Sequence, residues 1–122
     1  MKKDGYRNQI EKGLHQLNWE ITEIGQNEEW WDDEHWIVTY KYDSELHFYL
    51  CFIVDPQFEG QRKKGQGIYE VKASRTFPNG WADDENTIGN IHMNGRKFNV
   101  KLKELMADIT RFKKGQAADN KR

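Results

Sequence analysis

The stretch His35 to Asp55, HWIVTYKYDSELHFYLCFIVD, decides the fold. Side chains of a strand alternate between faces, so a period of two marks one face. Counting by twos from Trp36 gives Trp36, Val38, Tyr40 and Tyr42. Counting from Leu46 gives Leu46, Phe48, Leu50, Phe52 and Val54. Both sets are wholly apolar or aromatic, which predicts two long strands of one hairpin sharing a core face. β-branched and aromatic residues suit such a pleated surface. A shared face requires opposed residue numbers to sum to an even value. A loop at Asp43-Ser44-Glu45 meets this, pairing Tyr42 with Leu46, Tyr40 with Phe48, Val38 with Leu50 and Trp36 with Phe52. A two-residue loop shifts the pairing by one and splits the core across both faces. The second face then carries Ile37 opposite Cys51, Thr39 opposite Tyr49 and Lys41 opposite His47. It is too apolar for open solvent and too polar for a dry core.

Upstream, Tyr6, Ile10, Leu14 and Leu17 recur at helical spacing, with Asp4 as N-cap and Asn18 as the stop. Gly13 is expected to let this helix lie close to the sheet. Trp19 to Ile24 reads as a first strand closed by Gly25, followed by the polar loop QNEEWWDDE. Downstream, Pro56 ends the hairpin, since proline cannot continue a central ladder. Gly67 to Ser74 predicts a fourth strand with Tyr69, Val71 and Ala73 inward and Glu70 and Lys72 outward. Pro78-Asn79-Gly80 marks a turn in the long loop before a fifth strand over Thr87 to Met93. A last helix starts from an Asn99 cap, buries Val100, Leu102, Leu105, Met106, Ile109 and Phe112, and ends at Gly115. The expected fold is a single α+β domain over residues 1–122, in the order α-β-β-β-β-β-α. Its five-stranded sheet is mostly antiparallel, both helices pack on one face, and residues 1–3 and 116–122 form disordered tails.

The chain has 122 residues, 32% of them charged and 13% aromatic, with a formal net charge of -1. That length supports one real core, and the aromatic content argues against disorder. Neutral balance and the absence of an RNP pattern argue against nucleic acid. The order of the α-β-β-β-α portion is similar to that of double-stranded RNA-binding domains. The lysine cluster that opens their last helix is missing here. Charge is nonetheless uneven. No Lys or Arg lies between Gly13 and Tyr40, where Glu20, Glu23, Glu28, Glu29, Asp32, Asp33 and Glu34 fall, and Arg96 onward is basic. Such asymmetry can align a self-contact. The single Cys51 excludes an internal disulfide and fits a reducing compartment. MKKDGYRNQI has no apolar segment behind its lysines, and no run is long enough to span a bilayer, so a soluble cytoplasmic protein is expected.

Three motifs carry possible chemistry. The glycines around Arg62, Lys63 and Lys64 resemble a phosphate-binding loop only in part, because Gln66 and Gly67 replace the required Lys-Ser/Thr and a strand follows. This makes a weak anion site. The acidic runs at Asp32 to Glu34 and Asp83 to Glu85 lack calcium-loop spacing, so they read as solvated rims and no metal or cofactor is expected. Cys51 with His35 or His47 suggests a thiol enzyme, but no carboxylate is placed to orient either imidazole, so Cys51 reads as a buried, inert thiol.

What remains is surface. Trp30, Trp31 and Trp81 are expected to be exposed loop aromatics of the kind enriched in contacts. Ile37, Thr39, Lys41, His47, Tyr49, Cys51, Ile53, Glu70 and Lys72 form the expected partner or ligand face, since the two helices leave nothing to cover it. The expectation is a non-enzymatic binding protein acting as a homodimer or with a protein partner. A small-ligand-binding or enzymatic domain on the same face is the alternative, with His35, His47 and Tyr49 at work.

Overall fold

A computed structural model describes residues 5–26, 28–58, 67–80, 82–93 and 97–120. α1 (Gly5–Gln16) leads into β1 (Trp19–Gly25), β2 (Asp32–Tyr40) and β3 (Asp43–Val54). A 3-10 turn follows at Pro56–Phe58, then β4 (Ile68–Ser74), β5 (Thr87–His92) and α2 (Phe98–Asn120). The strands form one antiparallel sheet in the order β1-β2-β3-β4-β5, so each strand pairs with its neighbour in sequence. No described helix is long and apolar enough to cross a membrane. The expected α+β architecture is therefore present.

α1 stops where its apolar stripe stops. Asn18 takes a left-handed φ of 71°, which its short polar side chain tolerates, and β1 begins at the next residue. Ile10 and Leu14 of α1 and Leu105, Ile109 and Phe112 of α2 bury against Trp36, Val38, Phe48, Leu50, Phe52, Val71, Ala73 and Ile91. Both helices thus lie on the face that the period-two count selects. Gly13 serves the helix pair rather than the sheet, because a Cβ there would lie 3.1 Å from the methyl end of Met106. α2 starts at Phe98, one residue ahead of the expected Asn99 cap, after Lys97 at a φ of 67°. It also runs through Gly115, the expected stop, to Asn120. A glycine inside a helix costs only about 1 kcal/mol relative to alanine, too little to end one alone.

The hairpin register differs from the sequence expectation by two residues. Val38 faces Phe48, Trp36 faces Leu50 and Glu34 faces Phe52. The turn is Lys41–Tyr42, and the ladder is irregular between Thr39 and Tyr40, which pair with His47 and Asp43. Residues 44–46 of β3 have no partner opposite, and this local excess restores the parity that a two-residue turn alone would break. The shift takes Tyr42 out of the expected core, leaving it 67% exposed. It also places Lys41 in the turn, with its ammonium 5.6 Å from the Tyr42 ring centre, rather than opposite His47. A second irregularity between Ile53 and Val54 turns Tyr69 away from Val71 and Ala73. Ile68 packs into the helix-side core in its place, and Tyr69 joins the cluster on the other face.

Candidate functional site

The register lays out the second face in rows that run across the sheet. One row is Gly25, His35, Cys51, Lys72 and Asn90. The next row has Ile37, Tyr49 and Ser74, and beyond it Thr39 faces His47. On the other side of the first row lie Ile53, Glu70 and His92. His35, not Ile37, is therefore the residue opposite Cys51, and Ile37 faces Tyr49.

This face is not left bare, contrary to the sequence expectation. Trp31 is only 3% exposed and packs on Cys51 and Ile53. Its backbone is fixed there by a 2.8 Å hydrogen bond from Val54 N to Trp31 O. Phe77, from the loop after β4, stacks on Trp31 with ring centres 5.4 Å apart. The same ring meets His35 at 5.0 Å and Tyr49 at 6.1 Å. Cys51 and Ile53 are consequently buried within the chain and cannot serve as contact residues. Trp31 likewise is not an exposed loop aromatic, whereas Trp30 beside it is 38% exposed. Trp81, and Arg62, Lys63 and Lys64 of the weak anion site, lie outside the described residues.

Charged residues under this cover are paired. Lys72, expected to point outward, is fully buried, and its ammonium meets Asp84 Oδ1 at 2.7 Å and donates to Asp83 O at 2.6 Å. Asp83 in turn accepts from the backbone N–H of Asn79 at 2.8 Å and of Glu85 at 3.1 Å, which holds its carboxyl below the usual range. Lys72 thus ties down the loop that lies over it. Glu70, also buried, accepts from Asn90 Nδ2 at 2.8 Å. Burial, with Glu70 beside it, pushes the Tyr69 phenol up to about 12.

The acidic run at Asp32 to Glu34 is no solvated rim. Arg7 of α1 donates to Asp33 Oδ2 at 3.1 Å and also to Glu34 Oε1, while Trp36 Nε1 donates to Glu34 Oε2 at 3.0 Å. Asp32 is buried. Its Oδ2 accepts from Glu28 N at 3.1 Å and lies 2.7 Å from His35 Nδ1, and its Oδ1 has no partner among the described residues. Burial raises the Asp32 carboxyl above its ordinary range, outweighing these hydrogen bonds. A carboxylate does therefore orient His35, as the sequence reading missed. In a regular strand Asp32 and His35 would point to opposite faces, and the irregularity between Asp32 and Glu34 brings them together.

Asp32, His35 and Cys51 have the composition of a thiol triad but not its geometry. His35 Nδ1 is turned to Asp32, and the opposite ring edge, with Nε2, lies over Gly25 on β1. Cys51 sits across β2 on β3, away from that nitrogen. Burial and the Asp32 charge both raise the thiol pKa, so the thiolate that nucleophilic chemistry requires is disfavoured. No group of three or more His, Cys, Asp or Glu among the described residues is arranged to hold a metal.

The other half of the face is open. Ile37, Thr39 and Tyr49 are half-buried and His47 is exposed. The Thr39 and Thr22 hydroxyls are 2.8 Å apart, and His47 lies edge-on to Tyr49 at 6.2 Å. Comparison with protein-family models, curated proteins and solved structures returns no significant match.

Proposed function

We propose that this chain is a small non-enzymatic binding protein of the cytoplasm that works through protein contact at the open half of the second sheet face. The supporting observation is the division of that face. Its reactive groups, Cys51, Lys72 and the Asp32–His35 pair, are covered and engaged, while Ile37, Thr39 and Tyr49 stay reachable beside exposed His47. An apolar centre with a polar edge is the composition of a contact surface. A two-fold contact between copies needs only this one patch, since the same residues meet on both sides. Light scattering over a micromolar concentration series is expected to show a dimer, and Tyr49→Glu a folded monomer. A wild type that stays monomeric throughout rejects the self-contact, and a dimer indifferent to Tyr49→Glu moves it elsewhere.

The 2.7 Å Asp32–His35 hydrogen bond favours a second reading, a ligand or acid–base site, because an oriented imidazole is a component of such sites. In that case His35 is modified by diethyl pyrocarbonate in the folded chain. Protection until global unfolding removes this reading.

A further inference from the structure

On the helical layer, residues of α1 and α2 line a groove of about 370 Å³. Leu17, Leu102 and Met106 form its apolar wall, and the exposed Lys12 and Lys103 stand at its rim. No carboxylate from the described residues lines it. Gly13 keeps it open toward Met106, since a Cβ at that position would make a 3.1 Å contact. The β1–β2 connection carries the converse surface chemistry. Ile24 is 56% and Trp30 38% exposed, and Glu23, Glu28 and Glu29 around them are exposed too. That tip lies inside the stretch from Gly13 to Tyr40 that contains no Lys or Arg.

We propose that these two features are the halves of one contact between copies of this chain, with Trp30 of one copy seated in the α1–α2 groove of another. Glu28 and Glu29 then flank Lys12 and Lys103 across the joint. A tryptophan supplies a large rigid apolar anchor, the side-chain type most enriched among energetically dominant contact residues. The carboxylates and ammoniums at its edge set orientation and association rate more than affinity. The contact is head-to-tail, so it closes as a reciprocal pair or propagates as a chain of copies. The inference rests on the reading that the protein works through protein contact, but it uses a surface separate from the Tyr49 patch.

Light scattering and sedimentation of the full chain test it. Trp30→Ser is expected to weaken self-association by about tenfold or more, as loss of a central anchor does. About 1 M salt, where the screening length falls to about 3 Å, should weaken it as well. The decisive arm is charge exchange. Lys12→Glu/Lys103→Glu and Glu28→Lys/Glu29→Lys each place like charges across the joint, and each alone is expected to lose the association that this joint provides. Mixed together they are expected to associate again, because each tip then faces a rim of opposite charge. All four positions are exposed, so folding is preserved, and a thermal melt confirms it. Association lost through Tyr49→Glu but unaffected by Trp30→Ser overturns the inference and leaves the Tyr49 surface standing. Association lost through Trp30→Ser and restored on mixing, but indifferent to Tyr49→Glu, supports the inference and moves the working surface. Failure of the mixed pair to associate overturns the inference, and a monomeric wild type overturns both.

Discussion

A side chain at position 25 has no room. A Cβ there would collide with His35 Nε2 and lie 2.5 Å from its Cε1, so the glycine leaves room for the imidazole. Gly25→Ala is expected to cost about 1–3 kcal/mol, the usual range for overpacking, in chemical unfolding. Combining it with His35→Ala should recover part of that loss, since the two sites touch. Strict additivity would mean that the collision is relieved by backbone movement instead. Asp32 gives a second residue-level expectation, with a defined sign. Its carboxyl pKa is raised on folding, chiefly by burial, so the folded chain holds that proton more tightly than the unfolded chain. The associated stability is present at acid pH and is lost as pH rises from the ordinary carboxylate range through the raised value. Asp32→Asn keeps an acceptor for Glu28 N–H and His35 but carries no charge. Urea unfolding at a series of pH values should show wild type losing stability relative to Asp32→Asn as pH rises. Parallel profiles would show that burial does not govern this carboxyl.

The β2–β3 hairpin and the loop after β4 act as elements, and each has its own test. Phe48 lies on the helix side against Phe112 of α2 and is fully buried, whereas Tyr49, one residue on, faces the half-open side. Phe48→Ala is expected to cost about 3–5 kcal/mol and Tyr49→Ala clearly less. Equal losses in thermal or urea unfolding would mean that both sides of β3 are closed in solution. The loop is held from beneath by Lys72 and from within by Asp83. Backbone N–H groups hold the Asp83 carboxyl below its ordinary range, so its contribution is present above the unfolded value and disappears as pH falls through the folded one. Asp83→Ala should therefore be less stable than wild type near neutrality, with the difference closing in acid. A deficit that persists at low pH would point to packing rather than to the carboxylate. Neither element could be placed fully from its residues. Moving the hairpin register by two keeps every side chain on its face, so alternation cannot distinguish Val38 opposite Leu50 from Val38 opposite Phe48. Phe77 and Trp31 lie in connections, where no periodicity announces which way a ring will fold.

For the whole molecule, the consequence is a sheet covered on one face by helices and on half of the other by its own connections. Cys51 sits between these layers, fully buried on a central strand, with its thiol pKa pushed up by burial. A thiol reagent is expected to label it only at the rate of global opening, and Trp31→Ala or Phe77→Ala should accelerate labelling by exposing that half of the face. Rapid labelling of wild type would show that the cover opens without unfolding. The sequence alone determined the α-β-β-β-β-β-α order and the side of β2 and β3 that faces the helices. These follow from local periodicity and from helix- and strand-ending residues such as Asn18 and Pro56, which act over a few neighbours whatever the rest of the chain does. Tertiary structure alone decided the register offset, the burial of Lys72, the exchange of Tyr69 for Ile68 and the meeting of Asp32 with His35. Each depends on an irregular ladder position or on a loop folding back over distant residues. Those outcomes are selected by the packing energy of the assembled sheet, to which no short stretch of sequence has access.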